Sequence, residues 1–109
     1  MTPHQSEAEF QATFIEWLEL HRWTVHAERP ARSDKGWRTP IQGRPGFFDV
    51  VAVKDGTLLL AELKSETGRV TEDQQHWITS ACHVARSRSC IMVMLLRPSD
   101  WPKIAALLS

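Results

Sequence analysis

A chain of 109 residues with zero formal net charge and 42% hydrophobic residues is expected to form one domain, residues 1–109, around a single core. No stretch approaches the roughly 18 apolar residues of a membrane span, and the polar N-terminal segment lacks the apolar stretch of a signal peptide, so a soluble cytoplasmic protein with no membrane partner is expected. Cys82 and Cys90 stand apart, and His4, His21, His26, His76 and His83 are scattered, which excludes the usual zinc-ligand spacings and makes buried free thiols of the cysteines.

Ser6, with Glu9 three positions later, forms a capping box that opens a helix running to about Leu20. At about 100° per residue, Phe10, Phe14, Trp17 and Leu18 make one stripe, which Glu7 shares while Glu9, Glu16 and Glu19 point away. Glu7 is then either a carboxylate aimed inward or a first-turn acid favoured by the helix dipole, and the pattern leaves both open. Trp23 to Ala27 reads as a short strand. Glu28 to Gly46 holds three prolines and three glycines without periodicity, and predicts a long functional loop with no regular structure. Between Arg22 and Arg44 lie six basic residues, Arg22, Arg29, Arg32, Lys35, Arg38 and Arg44, against two acidic ones, Glu28 and Asp34. Neutrality overall argues weakly against nucleic acid, but this local surplus suggests a basic loop beside an acidic centre. Arg32 and Arg38 interleaved with Trp37 suit phosphate contacts and stacking on a base or sugar; the alternative is a solvated linker.

The segment Phe47 to Lys64 carries the most information. Two apolar arms, Phe47 to Val53 and Leu58 to Lys64, flank Lys54-Asp55-Gly56-Thr57, and Asp-Gly between apolar runs is a strong hairpin signal. With Asp55 and Gly56 as a two-residue loop, Lys54 pairs with Thr57, and the same register sets Asp49 opposite Glu62. Lys64, two residues on, shares the face of Glu62. Opposed side chains have Cβ atoms roughly 4.5–5.5 Å apart, where like charges destabilise the pair. The Lys64 ammonium offsets one charge. A hard divalent cation bridging both acids satisfies them better, because Mg²⁺ favours one or two carboxylates with retained waters. The alternative is a solvent-facing strand with an ordinary salt bridge.

Thr71 with Gln74 is a second capping box, which accounts for Gln74 by itself. Gln74 also heads a stripe with Trp77, Ile78 and Ala81, so it equally reads as facing inward. Ile91 to Leu96 is a continuous apolar run expected to be a buried strand, and Ser99 is expected to cap a last helix to about Leu108. Trp17, Trp77 and Trp101 are assigned to the core. The resulting order is α-β-β-β-α-β-α.

Asp49, a twelve-residue gap and then Glu62-Leu63-Lys64 resemble the PD-(D/E)xK nuclease signature, and Gly68-Arg69-Val70-Thr71 with Gln74 and Trp77 resembles its VRR-Nuc branch. Single-domain phage and bacterial members are the nearest likeness. The similarity extends to Glu7 to Gln11, Gly36 to Pro40 and Arg97 to Trp101; it departs at Phe48, where the family usually has Pro. This resemblance implies a restriction-endonuclease-like α/β core with a mixed β-sheet flanked by helices. It implies a Mg²⁺-dependent DNA endonuclease, with Mn²⁺ able to substitute, whose metal is held by Asp49, Glu62 and the Leu63 carbonyl. Lys64, Glu7 and Gln74 would complete the catalytic set, and His26 and Arg29 would join Arg32, Trp37 and Arg38 as DNA contacts. Relatives of this type include Holliday-junction resolvases of DNA recombination and repair, which implies branched DNA as substrate and a homodimer. The other readings are a catalytically silent nucleic-acid-binding module and a nuclease subunit active only within a phage or restriction complex.

Overall fold

The turn between the two apolar arms sets the register of the sheet. Asp55 and Gly56 both take positive φ, 48° and 80°, as a tight hairpin turn demands, and Lys54 pairs with Thr57 across it. This is a computed structural model; it describes residues 4–28 and 41–109 in full, and of the segment between them the backbone of 31–33 and 36–38. The elements are α1 (Glu7–Leu20), β1 (Thr24–Ala27), β2 (Ala31–Ser33), β3 (Gly36–Arg38), β4 (Val50–Lys54), β5 (Thr57–Leu63), α2 (Glu72–Ala85), β6 (Ile91–Leu96) and α3 (Trp101–Leu108), with a 3₁₀ turn at Pro98–Asp100. The chain is an α/β fold with a four-stranded mixed, open sheet and three α-helices. Strand order is β1-β4-β5-β6, antiparallel except for the β5–β6 pair, whose parallel crossover is made by α2.

Both expected capping boxes form. Ser6 Oγ accepts from the Glu9 N–H at 3.1 Å while the Glu9 carboxylate accepts from the Ser6 N–H at 2.9 Å, and Thr71 and Gln74 repeat the arrangement at 3.1 and 2.9 Å. Side chains alternate along β5. Leu59, Ala61 and Leu63 enter a core with Phe10, Phe14 and Leu18 of α1 and Ile104 and Leu108 of α3. Leu58 and Leu60 face the other way, toward Trp77, Ala81 and Val84 of α2. Trp23 closes the core by donating from Nε1 to the Leu108 carbonyl at 2.7 Å. Among the described residues no helix is long and apolar enough to cross a membrane.

Five expectations need correction. Residues 28–46 are not wholly irregular, because β2 and β3 form an antiparallel pair with Arg32 opposite Trp37. Pairing of a few backbone groups requires no apolar periodicity, so the pattern does not reveal it. The first hairpin arm begins at Val50 instead of Phe47. Gly46, at φ 90°, turns the chain where it abuts the first turn of α2. Ser99 does not cap α3 with its side chain: the Asp100 carboxylate accepts from the Arg97 N–H at 2.8 Å, and the Ser99 N–H donates to the Glu66 carboxylate at 3.1 Å. Proline at the start of both the 3₁₀ turn and α3 favours that tighter entry. Trp77 lies outside the core, on the α2 face of the sheet, half-buried beside Phe47; Trp17 and Trp101 do pack against the core. Both cysteines are free, but Cys82 is half-buried and Cys90 exposed, since Cys90 sits in the turn before β6 and contributes only its carbonyl to the Leu58 N–H.

Candidate active site

The end of β5 delivers three side chains in alternation. Leu63 goes into the core, completely buried, while Glu62 and Lys64 leave on the opposite face and are nevertheless almost inaccessible, 1% and 8% exposed. Each flank of this segment is held differently. On the β6 side the Lys64 N–H donates to the Leu96 carbonyl at 3.0 Å. On the β4 side an extended antiparallel ladder would bring residue 48 to the Leu63 N–H, but the chain leaves the ladder after Val50 opposite Ala61. Asp49 replaces that main-chain acceptor: its Oδ2 accepts from the Leu63 N–H at 2.8 Å. The Asp49 carboxyl is thereby fixed at the open end of the sheet, within hydrogen-bonding reach of the Glu62 carboxyl.

Glu62 is the unusual member. Neither of its buried oxygens receives a hydrogen bond from the described residues. Burial first, then the closeness and negative charge of Asp49, push its carboxyl up to about 9, with Glu7 adding to the rise and Lys64 opposing it. A buried carboxylate without donors is strongly disfavoured. In the absence of another positive species Glu62 therefore keeps its proton. A cation could replace that proton, and the donor set suits a hard one: two adjacent carboxyl groups, two free oxygens and a neighbouring main-chain segment at Leu63. Among the described residues no three His, Cys, Asp or Glu side chains converge into a metal cage.

Glu7, at the first turn of α1, reaches the same spot. Its Oε1 lies 3.8 Å from Lys64 Nζ. Its carboxyl is raised by burial, pulled down by Lys64 and pushed up again by Asp49. Four of the expected residues, Glu7, Asp49, Glu62 and Lys64, are thus neighbours, and Leu63 is the backbone link between them. Gln74 is half-buried in the first turn of α2, and its Oε1 is occupied by the Thr71 N–H. Gln11 donates to the Glu28 carbonyl at 3.4 Å. His26 is exposed on β1, paired with Val51. Arg29 lies outside the described residues, and so do the side chains of Arg32, Trp37 and Arg38, whose backbones form the β2–β3 pair.

Arg97 was not singled out by charge pattern or spacing. It follows β6 directly, and its Nη1 donates to the carbonyls of Ser65, Glu66 and Gly68 at 2.7, 3.2 and 2.8 Å. The proximity of Arg97 to Lys64 depends on the parallel register of β5 and β6, which no local pattern encodes. No protein-family model matches this chain, and no curated protein is detectably similar to it.

Proposed function

We propose that this chain is a Mg²⁺-dependent DNA endonuclease of the PD-(D/E)xK type, with a restriction-endonuclease-like core of the VRR-Nuc kind. One observation carries the reading: the Glu62 carboxyl is buried without a donor, directly beside Asp49 and with Lys64 alongside. A structural salt bridge does not need two acids crowded onto one buried spot, whereas a divalent cation is well served by them.

Asp49 and Glu62 hold the metal, together with the Leu63 carbonyl. A divalent cation there supplies Lewis acidity toward a phosphate oxygen and a bound water of lowered pKa. The Leu63 N–H keeps Asp49 from rotating away. Lys64, desolvated and held near Glu7, orients or deprotonates the attacking water or neutralises charge developing on the phosphate. Gln74 borders the site. His26, Arg29, Arg32, Trp37 and Arg38 meet the DNA backbone and an unstacked base. A chain this short has little surface for reading a long base sequence, which favours structure-selective cutting of branched DNA by a homodimer, in the manner of a Holliday-junction resolvase in the cytoplasm.

The test is a panel of four-way junctions, flaps and linear duplexes incubated with and without Mg²⁺ or Mn²⁺. Metal-dependent products that favour branched DNA and vanish in Asp49→Ala and Lys64→Ala are expected. Equal products from wild type and both variants refute the assignment. Calorimetric Mn²⁺ binding that is weakened in Glu62→Gln provides a readout apart from cleavage.

A further inference from the structure

We propose that Arg97 is a positioning residue for Lys64, acting through the turn formed by Ser65 to Gly68; this rests on the nuclease reading above. The turn closes on itself through the Gly68 N–H to the Ser65 carbonyl, 3.2 Å. It leaves three carbonyls pointing toward one spot, and Arg97 fills it. Nη1 has two hydrogens; the 2.7 and 2.8 Å contacts to Ser65 and Gly68 take the strong directions, and the 3.2 Å contact to Glu66 is shared.

A second grip comes from the same segment. The Ser99 N–H donates to the Glu66 carboxylate, which is held below its ordinary range first by the Ser99 hydroxyl and less by this N–H. Residues 97–99 therefore hold the turn by a guanidinium on the main chain and by an amide on a side chain.

The turn in its turn confines Lys64. A Cβ placed on Gly68 would stand 3.5 Å from Lys64 Cδ and 3.0 Å from Ser65 Oγ, so the Gly68 backbone packs against the lysine stem. Lys64 is held at its main chain by the Leu96 carbonyl, and its ammonium faces Glu7. Arg97, next in sequence to Leu96, thus braces the side of the lysine that the sheet does not reach. A four-carbon stem has many rotamers, and catalysis needs one of them; a rigid wall selects it. Lysine at position 97 would be a poorer brace, because an ammonium lacks the planar guanidinium fork.

Arg97→Ala and Arg97→Lys are to be compared with wild type for cleavage of the best DNA in the panel, with folding verified by circular dichroism. We expect kcat to fall about 10- to 100-fold in Arg97→Ala, with KM for DNA and the half-saturating Mg²⁺ concentration unchanged, the size expected for a misplaced catalytic group. Arg97→Lys should lie between, and millimolar guanidinium ion should restore part of the Arg97→Ala rate. The Lys64 Hε and Cε resonances should move toward those of the other lysines in Arg97→Ala, a readout that needs no activity. A folded Arg97→Ala with wild-type kcat, a loss confined to KM, or unmoved Lys64 resonances would overturn the positioning role and leave the nuclease reading intact. A wild-type chain that cleaves no DNA with either metal would overturn the nuclease reading and the catalytic part of this inference with it. If Arg97→Ala does not fold, Arg97→Lys carries the same comparison.

Discussion

Replacing Glu62 by Gln removes a titratable group while keeping its shape, and the consequence follows from where the carboxyl sits. Burial, then the closeness and charge of Asp49, hold the folded-state pKa at about 9, against an ordinary value of 4.5. Between those values the folded chain carries one proton more than the unfolded chain, so stability falls as pH rises, by about 1.4 kcal/mol per unit. From roughly pH 6 to 9 the loss reaches about 4 kcal/mol, a large part of the about 5–15 kcal/mol that keeps a small domain folded. Below the ordinary value both states are protonated and the effect disappears. Urea denaturation of metal-free protein at several pH values should show this slope in wild type, over and above that of Glu62→Gln. The variant should therefore be the more stable chain at alkaline pH. Saturating Mg²⁺ should narrow the gap by stabilising wild type selectively, because ligand binding to the folded state adds to its stability. Parallel pH profiles for the two chains would refute the reasoning, for they would mean that the folded state lets Glu62 ionise freely.

Other perturbations test the frame around the site. Ala81→Leu, which points a larger side chain into the cavity of about 300 Å³ between α2 and the sheet, should raise the thermal midpoint by the equivalent of about 1 kcal/mol. Gly46→Ala should lose at least about 2 kcal/mol in chemical denaturation, since it combines a positive φ with a Cβ only 2.7 Å from the Asp73 backbone. Gly43→Ala, equally left-handed but in open space, should lose only about 1 kcal/mol. Thr71→Ala should cost about 1 kcal/mol by freeing the Gln74 N–H, and should release the Gln74 side chain from the cap without changing metal binding measured by calorimetry.

What the chain encodes locally is what could be read from it. Ser6 with Glu9 and Thr71 with Gln74 announce their helices because a cap involves residues three apart. Asp55-Gly56 announces the hairpin because few residues tolerate positive φ, and the register that follows carries Asp49 to the neighbourhood of Glu62. The difficulties arise where distant segments decide. Phe47 and Phe48 have the composition of a strand, but Gly46 must pack on the start of α2, and the chain joins the ladder only at Val50. Trp77 has the position of a core residue on its helix. Its indole instead donates to the Arg44 and Pro45 carbonyls, because α2 covers the sheet incompletely and has no fully buried residue. Arg97 looks like one arginine among many until parallel pairing of β5 with β6 brings it to the turn after Lys64.

The departure of Asp49 from the ladder also explains how two acids can be brought together without wrecking the sheet. Directly opposed acids inside a regular ladder would place their charges on a surface whose main-chain donors are already used. Here β4 begins only at Val50, two residues short of the position that would pair with Leu63, which frees the Leu63 N–H, and the carboxylate that causes the repulsion is the group that satisfies it. Asp49 therefore has a backbone partner and Glu62 has none, so it is Glu62 whose carboxyl is pushed up. The two acids are chemically alike but differently held: Asp49 closes the sheet end on the Leu63 N–H, and Glu62 is left buried there without a donor. Leu63, between Glu62 and Lys64, is buried with Phe10 and Phe14 of α1 and Ile104 of α3, so the strand that carries Glu62 is anchored from the opposite face of the sheet.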